Sequence, residues 1–144
     1  MSFDPDHQAE TLRGAIGALS QRFKSAEAQL SAGRPLNPLD MQILLFVAER
    51  PGCGPSDLAR GLGAAATTIS SATDRLHRQG LLVRDRPEQD RRAIRLSLSP
   101  AGRDYAEALL AVQRDHCRQM LDRLDPEEQA TLLRIFTKLA SFEL

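Results

Sequence analysis

The stretch GPSDLARGLGAAATTISSATDRLHRQG, residues 54–80, holds two short helical runs, each closed by a glycine. In the first run Gly54 is a permissive cap, Pro55 takes the first helical position, Asp57 stands in the first turn and Gly63 stops the helix. In the second, Ala65, Ile69, Ala72 and Leu76 recur at helical spacing and Gly80 ends the run. Helices this short are marginal in water on their own, so each must bury its apolar stripe against a neighbour. Two of them joined by a tight glycine-containing turn form a helix-turn-helix.

The same punctuation organises the rest of the chain. Asn37 is an N-cap with Pro38 behind it, and Pro51-Gly52 closes a helix of about 13 residues. Gln8 to Leu30 carries Leu12, Ile16, Leu19, Phe23 and Leu30 on one broad helical face. Ser99 followed by Pro100 opens a long helix, and Asp125, Pro126 and Glu128 open a last one with a capping-box pattern. Between the second short helix and Ser99, Leu82–Arg86 and Ala93–Leu98 alternate apolar with polar residues around the polar loop PEQDRR. That pattern predicts a β-hairpin projecting from the domain as a wing. The expected fold is mainly α with a small β-wing. It is one domain over 1–144, with a winged helix-turn-helix at about 37–98 and flanking helices at about 6–31 and 100–144.

Charge concentrates on that wing. The chain has no net charge, yet residues 74–95 hold seven arginines (Arg75, Arg78, Arg84, Arg86, Arg91, Arg92, Arg95) against four acids. On composition alone such a cluster is an ordinary solvated face. Beside a second short helix it gains a purpose, because arginines on a projecting wing meet DNA phosphates or enter the strongly negative minor groove. On that helix Thr67, Thr68, Ser70 and Ser71 lie off the apolar stripe, with hydroxyls free for base edges and phosphates. The first turns of the helix carry no Arg or Lys, so affinity falls to Arg75, Arg84, Arg86, Arg91 and Arg92. Asp74 is expected to pair with Arg92 and hold helix against wing.

Other chemistries find little support. Cys53 and Cys117 are far apart with no metal or disulfide spacing, and His7, His77 and His116 form no ligand set. Phosphate-cradling, nucleophile-elbow and zinc-protease motifs are missing, so no enzyme, cofactor or metal is expected. No apolar run approaches the roughly 20 residues of a membrane helix, and the N-terminus is acidic, which predicts a cytoplasmic chain.

From Leu58 to Arg103 the chain resembles the winged helix-turn-helix of the MarR (multiple antibiotic resistance regulator) family. The resemblance rests on the Asp90-Arg91-Arg92 wing, the Asp74–Leu76 DRL before a Gly-Leu turn, and the LSLSPAGR exit. It implies a homodimeric bacterial transcription factor, usually a repressor, whose terminal helices interlock. The second helix would enter the major groove and the wing tip, Arg91 or Arg92, the adjacent minor groove. Ala65 departs from the family, where a capping serine is common at that position. Leu12, Ile16, Leu19 and Phe23, with Leu132, Ile135, Phe136, Leu139 and Phe142, exceed what a winged domain needs. A second copy could bury them, or they form an intrachain core. Two copies would set recognition helices about one DNA turn, roughly 34 Å, apart on a palindrome. The family also implies a small hydrophobic or aromatic effector, for which Phe23, Met41, Leu45 and His116 are lining candidates, although each reads first as plain core. Two rivals stand beside this reading: a cysteine-based redox sensor of the same fold, and an interaction module whose arginines meet an acidic protein.

Overall fold

The computed structural model describes residues 4–30, 34 and 36–142. Residues 31, 143 and 144, at the ends of the expected flanking helices, lie outside the described residues. The elements in order are α1 (Pro5–Leu30), α2 (Pro38–Glu49), α3 (Pro55–Leu62), α4 (Ala66–Arg78), β1 (Leu82–Asp85), β2 (Arg95–Leu98), α5 (Pro100–Leu121) and α6 (Pro126–Ala140).

Each helix start follows from its local chemistry. The Asn37 side chain accepts from the Asp40 N–H at 2.8 Å, and the Asp40 carboxylate accepts from the Asn37 N–H at 3.1 Å. Asp57 accepts from the Gly54 N–H, and Asp125 and Glu128 complete the reciprocal box on α6. These contacts satisfy N–H groups that a helix end leaves without partners. Ser99 accepts from the Gly102 N–H at 3.0 Å, which opens α5. Gly63, at φ 62°, ends α3 in the left-handed region that costs a glycine nothing.

The strands are shorter than expected. They pair antiparallel from Leu82 opposite Leu98 to Asp85 opposite Arg95. Arg86 therefore falls outside β1, and Ala93 and Ile94 fall outside β2. The loop between the strands is occupied by two turns instead of a ladder, with the Asp90 N–H donating to the Pro87 carbonyl and the Ala93 N–H to that of Asp90.

The chain forms two compact units, one from residues up to Ala26 together with Ala111 onward, the other Glu27–Leu110. The second unit holds the core, where Ile43, Leu44, Leu58, Ile69, Leu76 and Leu96 are almost wholly buried. Its helix α2 packs on β2 and α4 on β1, with α3 against both helices. The close approach of α5 to the chain before β1 requires Gly102, where a Cβ would lie 2.1 Å from the Leu81 carbonyl oxygen. In the first unit Leu12, Ile16, Leu133, Phe136, Leu139 and Phe142 are all more than half exposed.

Candidate nucleic-acid interface

Helix α4 buries Ile69, Ala72 and Leu76 and turns Thr67, Thr68, Ser70 and Ser71 outward. The division is the one its apolar period dictates. Thr73, on the inner side, is buried, and its hydroxyl returns to the Ile69 carbonyl at 2.9 Å, so it takes no part in the outer face. Ala65 supplies no side-chain cap, which leaves the first-turn N–H groups of α4 without a cap acceptor. Ser70 and Ser71 share a cleft of about 270 Å³ with Pro55 of α3, Arg84 of β1 and Ile94 of the wing. The hydroxyl face and the wing thus adjoin.

The arginines divide by what already holds them. Arg75 pairs with the carboxylate of Asp40, which is 1% exposed. Its guanidinium, expected at a phosphate, ties α4 to α2. Arg84 Nη2 meets Asp74 Oδ1 at 2.8 Å, and Arg78 reaches the other carboxylate oxygen at 2.8 Å. The Arg84 hydrogen bond first, then the charge of Arg78, holds the Asp74 carboxyl below the usual carboxylate range. The expected Asp74–Arg92 pair is thereby corrected. The hairpin register carries Arg84 past α4, whereas Arg92 lies beyond the strands, lining a separate cleft with Ser56, Asp57 and Arg95. Arg86 Nη1 donates to the Arg91 carbonyl at 2.8 Å. Arg91 and Arg92 are exposed, and among the described residues neither guanidinium has an acidic partner.

The model of the MarR family matches residues 35–93, from the residues before α2 through the wing loop. A probable transcriptional regulator from Pseudomonas aeruginosa has 32% identity and a TM-score of 0.69, covering 92% of this chain and 98% of its own. The chain belongs to the MarR family. The uncharacterized HTH-type transcriptional regulator YwhA of Bacillus subtilis is 29% identical over 125 residues, 85% of this chain and 90% of YwhA. FabT of Streptococcus pneumoniae, solved in complex with DNA, shares the fold with a TM-score of 0.82 at 23% identity, over 96% of each chain.

Within this MarR-family chain the four effector-lining candidates fall in different places. Met41 is buried in the core of the second unit, with Leu45 packed against that core. Phe23 and His116 lie in the first unit and meet edge to face, ring centroids 4.4 Å apart. Phe23 also lines an apolar groove of about 390 Å³ with Ile16, Leu19, Cys117, Leu132 and Phe136. Cys53 is buried, and that burial, with Asp57 nearby, pushes its thiol up, which disfavours the reactive thiolate. Cys117 is exposed. His77, with no metal-ligand role expected, has its Nδ1 3.0 Å from the Leu82 carbonyl and joins the end of α4 to β1. Among the described residues no helix is long and apolar enough to cross a membrane.

The residue that sequence reasoning missed is Asp40. Its place three after Asn37 signals a cap, but nothing in the pattern announces that the same carboxylate is buried and receives Arg75.

Proposed function

We propose that this MarR-family chain is a transcriptional repressor that binds double-stranded DNA as a homodimer, and that it acts in the cytoplasm by binding, without catalysis. The observation that carries the reading is the pair Arg91 and Arg92, exposed and, among the described residues, without acidic partners, on a projecting loop beside a helix face of four hydroxyls. Guanidinium groups already spent on carboxylates contribute little to phosphate binding. Uncommitted ones on a protruding loop release counterions when they meet a duplex. In this reading α4 lies in the major groove with Thr67, Thr68, Ser70 and Ser71 at base edges and phosphates, and the wing tip reaches the neighbouring minor groove.

The dimer rests on apolar surface. Exposed apolar area of this extent on a monomer marks an interaction site, and Leu133, Phe136 and Leu139 of α6, Phe142 after it, and Leu12 and Ile16 of α1 all lie open in the first unit. A second copy covering them would form a twofold reader of a palindrome. A small hydrophobic or aromatic effector would then release the DNA by favouring a spacing of recognition helices that the operator does not match. The buried, raised thiol of Cys53 argues against the redox alternative at that position.

The test is selection from a random pool of duplexes by purified protein, followed by footprinting. An inverted repeat with half-site centres about one helical turn apart is expected. Recovery of no preferred sequence, with capture of acidic proteins instead, would favour the interaction-module reading.

A further inference from the structure

The wing loop has almost nothing behind it. From Arg86 to Arg92 every loop residue is exposed except Pro87, which is half-buried, and the core meets the loop at its far end, where Ile94 packs against it. Core packing therefore does not fix the shape of residues 86–92, and the hydrogen bonds within the loop must do so. Two backbone turns bend it, at Pro87–Asp90 and Asp90–Ala93. The Asp90 carboxylate adds an acceptor for the Arg92 N–H at 3.1 Å. These bonds are local. Among the described residues, the side-chain bond that joins the two sides of the loop runs from Arg86 Nη1, where the chain leaves β1, to the carbonyl of Arg91 at 2.8 Å.

Resting on the DNA-binding reading, the geometry points to Arg86 as a positioning residue that acts through Arg91 and Arg92 instead of meeting a phosphate itself. Its guanidinium is donated to the backbone of the very residue whose side chain projects from the tip. A donor there restricts the peptide at Arg91 to one orientation, and that orientation aims the two uncommitted guanidinium groups. Without it the loop samples more conformations, and ordering them on DNA costs affinity. Arg91 and Arg92 differ from Arg86 in the same respect, since among the described residues only their backbone groups, and not their side chains, bond within the loop.

Three measurements separate this from a phosphate contact, using the full chain and a duplex recovered from a random pool. In the free protein, Arg86→Ala should lower the backbone amide order parameters of residues 90–93, which a residue reserved for DNA would leave unchanged. On the duplex, Arg86→Ala should weaken binding roughly three- to tenfold, the effect of one hydrogen bond. The slope of log affinity against log salt should stay that of the wild type, whereas removing a cation that meets a phosphate flattens it by about 0.9. In an Arg91→Ala, Arg92→Ala background, Arg86→Ala should change affinity by less than about twofold, because nothing remains to be aimed. Unchanged order parameters, a flattened slope, or a full additive loss in that background would each overturn the assignment. If wild type selects no duplex at all, the DNA-binding reading fails first and takes this inference with it; if wild type binds and Arg86→Ala behaves like Arg91→Ala, only the inference fails.

Discussion

Arg75 of α4 closes an ion pair with Asp40 of α2, whose carboxylate is almost wholly buried and also accepts the N–H of its own cap residue. One acidic side chain thus caps one helix and fixes the angle at which another is presented. Arg75→Ala leaves a buried carboxylate without its cation. The guanidinium is partly exposed, so the loss should be about 1–3 kcal/mol, less than for a wholly buried pair. Chemical denaturation checks it. Unchanged stability with a flattened salt slope on DNA would return Arg75 to the phosphates.

Acid should weaken the fold in a defined direction. Asp74 is held below the ordinary carboxylate range by the Arg84 hydrogen bond, Asp57 by the Gly54 N–H and Asp125 by the Glu128 N–H. A depressed folded-state value contributes stability that is present above the unfolded value and is lost as pH falls through the folded one. Denaturation midpoints should therefore hold near neutrality and fall below about pH 4. Asp74→Asn should show a shallower acid decline, and curves of equal steepness would contradict the Arg84–Asp74 link.

Most of the fold was legible because many helix ends are marked by local chemistry. Asn37, Pro55, Ser99 and Asp125 announce starts, Gly63 and Gly80 announce stops, and the spacing of Ile69, Ala72 and Leu76 shows which face of α4 is inward. That spacing also left Thr67, Thr68, Ser70 and Ser71 for the outside. What could not be read was partnership. Asp74 takes Arg84 and Arg78 instead of Arg92 because the register of a hairpin, and not distance along the chain, decides which long side chain reaches it. Asp40 and Arg75 are 35 positions apart, and only the packing of α4 on α2 brings them together. The strands stop short of their alternating pattern because the turns Pro87–Asp90 and Asp90–Ala93 bend the chain out of the ladder.

The join between the wing and α5 tolerates no side chain at residue 102. A Cβ there would lie 2.1 Å from the Leu81 carbonyl oxygen, a backbone atom that cannot rotate away. Gly102→Ala should cost about 2 kcal/mol or more despite alanine's better helix propensity. A thermal melt decides, and a midpoint equal to or above that of the wild type would show that the helix can retreat freely.

Assembly should depend on the apolar face of α6. Phe136 is 54% exposed and lines the groove of the first unit, so Phe136→Asp removes little intrachain packing. Sedimentation should give twice the chain mass for wild type at micromolar concentration and a single chain mass for the variant, with unchanged helical circular dichroism. A dimer that survives the aspartate would place the interface elsewhere.

Whether Arg91 and Arg92 meet DNA is tested most directly by the salt dependence of binding. Affinity for a selected duplex is measured across a range of salt concentrations for wild type, Arg91→Ala and Arg92→Ala, with the fold of each checked by denaturation. Each variant should bind more weakly, keep wild-type stability, and flatten the slope of log affinity against log salt by about 0.9 for each phosphate it no longer meets. Affinity and slope identical to wild type in both variants would contradict the assignment of the wing to DNA.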